Sequence, residues 1–176
     1  MRTLADAFPL PTPPPLAGEG ADRAHIVTLP PTIHATAVLV GARAVLIRGP
    51  AGSGKSSLAF ALIRAAESGA LPFARLVGDD RIHVEAAHGR LLARPAQTIA
   101  GLIEIRGLGI RRLPYEPLAA VGLVVDLGAD DAERLPAPES ALTGIAGVVL
   151  PRLAVAPSST PLPLIIAALR TEDSGR

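Results

Sequence analysis

The stretch AVLIRGPAGSGKSSLAFALIRAAESG, residues 44–69, decides the fold. It opens on an apolar, β-branched run and ends in a helical pattern over Ser56 to Ser68 that places Leu58, Ala59, Leu62, Ile63 and Ala66 on one face, with Gly69 as the stop. Between the two lies GPAGSGKS, which satisfies G-x-x-x-x-G-K-[ST] at every required position and in the strand-to-helix context that the motif needs. Glycines at 49, 52 and 54 let the backbone curl so that successive N–H groups face phosphate oxygens. The helix start adds the positive end of its dipole. The whole octet, Gly49, Pro50, Ala51, Gly52, Ser53, Gly54, Lys55 and Ser56, is therefore a candidate nucleotide-binding loop. Lys55, the chain's single lysine, is expected to reach the β- and γ-phosphates, and the Ser56 hydroxyl to ligate Mg²⁺.

Outward from the loop, short β-rich runs alternate with turn signals. IHATAVLVG (33–41) and ARAVLIRG (42–49) read as two paired strands around Gly41. ARLVGDD (74–80) reads as a buried strand ending in acids, and RIHVEA (81–86) with RLLARP (90–95) as a hairpin. Residues 96–103 suit a short helix, 121–128 a strand, 129–146 a long loop, 148–155 a strand and 162–170 a last helix. The class predicted is α/β, a P-loop nucleotide-binding domain with a mixed β-sheet, because hairpins and a strand-to-helix crossover both occur. Residues 1–24 are Pro-rich without periodicity and read as a disordered arm, which leaves 25–176 as the catalytic domain.

Composition narrows the function. The 176 residues are 49% hydrophobic and 19% charged, enough for a packed core. No apolar run approaches the roughly 18 residues of a membrane span, and no signal segment is evident, so a cytoplasmic protein with no membrane partner is expected. Cysteine is absent, which removes disulfides and thiolate chemistry. A net charge of +1 and 2% aromatics argue against a nucleic-acid partner. There is no Asn and no second Lys, so the Asn-Lys-x-Asp base reader of GTPases cannot be built, and ATP is the expected donor.

A P-loop enzyme also needs an acid at a strand end beside the loop. Pattern nominates two sites and favours Asp126, after VGLVV, over the adjacent pair Asp79 and Asp80. Neighbours in a strand point to opposite faces, so one acid of the pair would face the phosphates and the other would not. An Asp near the γ-phosphate suits a general base. Glu104 and Arg106, within LIEIRGLGI (102–110), suit a metal and a phosphate oxygen, and Gly107 and Gly109 suggest a tight bend there. His34 precedes a strand and suits phosphate orientation, whereas His25, His83 and His88 read as structural.

These segments together, IHATAVLVGARAVLIRGPAGSGKSSLA, LVGDDRIHVEA and LIEIRGLGI, resemble the catalytic domain of HPr kinase/phosphorylase. EIRGLGI downstream of a P-loop and an Asp-Asp pair is the most specific part. The resemblance covers about residues 33–170 and is clearest over 33–110. It implies an ATP- and Mg²⁺-dependent serine kinase acting on an HPr-like phosphocarrier of the phosphotransferase system, with reversal by phosphorolysis. By position it implies active-site roles for His34 and Lys55, Mg²⁺ ligation by Ser56 and Glu104, and Asp80 as the base toward the acceptor serine. It implies a catalytic arginine at Arg134, demotes Asp126, and has Arg106 to Ile110 shape the catalytic loop. It further implies a hexamer, and a short form without a separate N-terminal domain, similar to those of α-proteobacteria. Two segments depart from the family pattern: APSSTPLPL (156–164) lacks the usual basic, Gly-containing character, and IRRLPYEP (110–117) replaces an apolar continuation. From the residues alone, a small P-loop kinase or ATPase with a low-molecular-weight acceptor and a catalytically idle nucleotide-binding module also stay open.

Overall fold

A computed structural model describes residues 30–171. The chain runs through β1 (Thr32–His34), β2 (Thr36–Val40) and β3 (Arg43–Arg48), then through the glycine loop into helix α1 (Lys55–Glu67). β4 (Ala74–Gly78), β5 (Arg81–Ala87) and β6 (Arg90–Pro95) follow, then a 3₁₀ turn at Gln97–Ile99 and the β7 (Leu102–Ile105) and β8 (Gly109–Arg112) ribbon. β9 (Ala119–Leu127), β10 (Leu142–Ile145), β11 (Val148–Val155) and helix α2 (Pro161–Arg170) complete it.

The strand that feeds the loop is central. β3 pairs antiparallel with β2 through the turn at Gly41 and parallel with β9, in the sheet order β1-β5-β6-β9-β3-β2-β4. β11 lies parallel to β9 on its other side and carries β10 as a hairpin. The parallel trio β3, β9 and β11 brings three carboxyl strand ends to the glycine loop, where ligands bind in open α/β sheets.

Both faces of the sheet are covered here, which is why β2, β3 and β9 read as continuous apolar runs rather than alternating ones. On one face Val45, Ile47 and Val125 pack against Leu58 and Leu62 of α1, with Ile165 of α2 in the same cluster. On the other face Leu46, Val77 and Val124 meet Ile82 and Leu91, because the chain turns back between β4 and β5 and the sheet folds over on itself. Gly78 is the corner: a Cβ there would stand 2.8 Å from Ile82 Cδ1 and 2.9 Å from the Pro95 Cβ.

Several expectations change. Residues 33–41 are not one strand. Ile33 and His34 pair with Ile82 and Arg81 of β5, whereas Thr36 onward pairs with β3 and β4, and the chain crosses from one partner to the other at fully buried Ala35. Apolar character cannot reveal such a change of partner. The 129–146 loop ends in a strand, β10, whose interrupted pattern LTGI hides its pairing with β11. The helix expected over 96–103 shrinks to one 3₁₀ turn, because Gly101 has a φ of +74° and the chain enters β7 at Leu102. The arm over 1–24, and its boundary with the domain, lie outside the described residues.

Candidate active site

The glycine loop adopts the shape that its spacing predicts. Gly49 has a φ of +145°, and a Cβ there would lie 2.7 Å from the carbonyl oxygen of Leu127, so no other residue fits. Gly52 and Gly54 also take positive φ, +78° and +93°, and Gly54 is the N-cap of α1. Lys55 is only 6% exposed, and its Nζ donates to the carbonyls of Gly49 and Pro50, each at 3.1 Å. The ammonium is thus held inside the curve of the loop, where a phosphate chain would lie.

A cleft of about 300 Å³ opens over the loop, walled by His34, Lys55, Ser56, Asp79, Asp80, Glu104 and Arg106 among others. The two adjacent acids take different stations in it. Asp79 is 5% exposed and is held by three donors. Thr36 Oγ1 and Ser56 Oγ donate to Oδ1 at 2.6 and 2.9 Å, and the Glu104 backbone N–H donates to Oδ2 at 3.1 Å. The Asp80 side chain is 62% exposed, with His34 Nε2 at 3.3 Å and Arg81 Nε at 3.8 Å. Strand alternation does not apply to the pair, because β4 ends at Gly78. Asp80 has a φ of +63° and turns the chain, so that both acids line the cleft.

Thr36 was not nominated from the sequence. Its one signal is a hydroxyl at the head of the apolar run TAVLV, which at a fully buried position needs a partner. Glu104, on β7, reaches the cleft because its own amide is tied to Asp79. Arg106 follows β7 in the turn of the β7–β8 ribbon and faces the loop. Arg134 sits on an exposed stretch between β9 and β10 and does not line the cleft.

Asp126 lies elsewhere, in an ion network. Arg48 donates to it through Nε and Nη2, each at 2.7 Å, and Arg152 through Nε at 2.6 Å. Burial pushes this carboxyl up, but the hydrogen bonds and charges of the two arginines outweigh burial and hold it below the usual carboxylate range. With both oxygens engaged by guanidinium groups, Asp126 has no oxygen directed to a nucleotide-bound metal.

Among the described residues, no three His, Asp or Glu side chains gather closely enough to hold a metal alone. The donors still suit Mg²⁺, which keeps several waters and takes one or two protein oxygens together with phosphate oxygens. Ser56 Oγ beside the buried carboxylate of Asp79 reproduces the loop hydroxyl and strand-end Asp that P-loop enzymes use for it. A second cleft, of about 400 Å³, flanks the loop on its other side and is lined by Pro50, Leu127, Gly128, Val155, Pro157 and Pro161. Its apolar wall suits a nucleoside.

Comparison with known proteins agrees with this geometry. Residues 27–113 match the model of the HPr serine kinase C-terminal domain. HPr kinase/phosphorylase of Clostridium beijerinckii is 36% identical over 78 residues, which are 44% of this chain and 24% of that protein. HPr kinase/phosphorylase of Streptococcus thermophilus is 39% identical over 80 residues, 45% of this chain and 24% of that protein. The match thus spans about a quarter of the length of these curated relatives. A solved structure of the Hpr(Ser) kinase/phosphatase from Coxiella burnetii superposes with a TM-score of 0.61 at 28% identity, covering 78% of this chain and 92% of that one. The matched residues 27–113 enclose every side chain that walls the cleft over the glycine loop, so the cleft lies wholly within the part of the chain that is similar to the HPr serine kinase C-terminal domain.

Proposed function

We propose that this protein transfers the γ-phosphoryl group of ATP to a serine hydroxyl of an HPr-like phosphocarrier protein. The acceptor oxygen attacks the γ-phosphorus, the bond to the β–γ bridging oxygen breaks, ADP leaves, and the serine proton passes to an Asp80 carboxylate oxygen. The observation that carries this reading is the division between the two acids. Asp79 is buried and saturated by hydrogen bonds, whereas Asp80 is open to an incoming protein, with His34 and Arg81 as its ionic partners among the described residues. His34 then orients the base, and Lys55 neutralises the β- and γ-phosphates. Ser56, Asp79 and Glu104 would hold Mg²⁺, which when bound supplies further charge neutralisation on the phosphate oxygens. The cleft lined by Pro50 and Val155 takes the nucleoside. Proximity and fixed charge supply most of the acceleration.

The test is a transfer assay with Mg²⁺, γ-labelled ATP and the phosphocarrier of the same organism, with and without inorganic phosphate. Label on a carrier serine is expected. Its release as pyrophosphate on adding phosphate would show that phosphorolysis operates despite the altered 156–164 segment. ATP binding with no label on the carrier would sink the protein-kinase reading and favour a small acceptor or an idle module.

A further inference from the structure

The cleft wall carries three carboxylates, Asp79, Asp80 and Glu104, against two side chains of permanent positive charge, Lys55 and Arg106. Lys55 lies within the loop, its Nζ held by the Gly49 and Pro50 carbonyls, where it would meet a phosphate chain from below. Arg106 comes from the opposite side. A Cβ placed on Gly52, at the top of the glycine loop, would lie 4.0 Å from Arg106 Nη2, so the guanidinium stands directly over the loop. It is exposed, and among the described residues it has no hydrogen bond or ion pair of its own.

The element that presents it is anchored close to Arg106 and open beyond it. β7 is tied to Asp79 through the Glu104 N–H bond, two residues before Arg106, and the turn is closed by Leu108 N–H donating to Ile105 O at 2.9 Å. Gly107 and Gly109 both take positive φ, and added Cβ atoms would meet nothing within 4 Å, so nothing packs against the turn at either glycine. The two arginines on the parallel strands, Arg48 and Arg152, are not available for this role, because both are locked on Asp126.

We propose that Arg106 is a catalytic arginine supplied in cis by the β7–β8 ribbon, contacting the γ-phosphoryl oxygens and stabilising the charge that develops on them during transfer. This rests on the phosphoryl-transfer reading above and assigns the charge-neutralising guanidinium to Arg106 rather than Arg134. Its signature is differential binding: the contact strengthens when the γ-group becomes planar and is absent with ADP.

The experiment is calorimetric titration of the full chain with Mg²⁺–ADP, and with Mg²⁺–ADP plus aluminium fluoride as a mimic of the planar phosphoryl group. It compares the unmodified protein, Arg106→Ala, Arg106→Lys, Arg134→Ala and, as a control for the ribbon, Arg112→Ala. Arg106→Ala should keep its ADP affinity and bind the fluoride complex about 100-fold more weakly, with Arg106→Lys in between. In the carrier assay its kcat should fall by about 1,000-fold with little change in KM for ATP. Arg112→Ala should match the unmodified protein.

Equal tightening by fluoride in Arg106→Ala and the unmodified protein overturns the proposal. So does a parallel loss of ADP affinity, which would make Arg106 a support of the loop, or a loss confined to Arg134→Ala. An unmodified protein that binds both complexes alike overturns it too. Because the titration needs no carrier, an Arg106-dependent effect without carrier phosphorylation sinks the acceptor assignment alone.

Discussion

Asp79 and Asp80 are chemically identical neighbours, and their surroundings give them different chemistry. Three donors converge on Asp79, so removing its carboxylate would strand two hydroxyls and an amide. Asp80 is turned outward by its left-handed backbone and keeps acceptor capacity for a substrate proton. Lys55→Ala and Asp80→Asn are accordingly expected to differ in kind. Lys55→Ala should weaken ATP binding and turnover together. Asp80→Asn should leave ATP affinity within about threefold and lower transfer by at least about 1,000-fold. Equilibrium nucleotide binding alongside single-turnover transfer separates the two, and equal binding loss in both variants would remove Asp80 from the role of base. The sequence shows two acids at a strand end. Which of them is saturated depends on Thr36 and Glu104, residues 43 and 25 positions away in the chain.

At the scale of elements, glycines mark where the backbone must do something side chains forbid. Those of the loop are legible from the motif, and α1 begins and ends within one residue of expectation because its apolar face and its terminal Gly69 are local signals. Gly78 is different. Its requirement comes from Ile82 and Pro95, which close on it only once the sheet folds back. Gly78→Ala is expected to lower stability by about 1–3 kcal/mol through overpacking at this corner. Denaturant unfolding should show the midpoint falling with an unchanged slope, and a variant as stable as the parent would mean that the corner has slack. The split of residues 33–41 into β1 and β2 has the same origin, since the two halves have different partners and the chain itself carries no mark of the change.

At the scale of the whole molecule, Asp126 joins β9 to β3 through Arg48 and to β11 through Arg152, and Arg152 also grips Asp131 beyond the end of β9 at 2.6 and 2.9 Å. The network ties the parallel trio together at the end that carries the glycine loop. Because the Asp126 carboxyl is held below its ordinary value of 3.8, the unfolded chain binds its proton more readily than the folded one. Its stabilisation is therefore complete above about pH 5 and drains away as pH falls through the depressed value. Unfolding curves collected from about pH 3 to 7 should show this acid loss, and Asp126→Asn should be less stable at neutral pH with a flatter acid limb. A parallel displacement at all pH values would mean that the carboxylate's titration plays no part. The pattern VGLVVD made Asp126 look like the metal acid, because a strand-end Asp looks the same locally whether arginines or a phosphate group face it. What the amino-acid sequence determines by itself is the glycine loop, the helix that follows it, the β-rich α/β class and the family resemblance, since each rests on contiguous residues whose spacing is dictated by backbone geometry. What only the tertiary structure decides is which acid is buried and which is open, where the sheet turns back on itself, and which arginine stands over the loop. Those depend on contacts between residues far apart in the chain, and burial and charge pairing exist only after the strands have met.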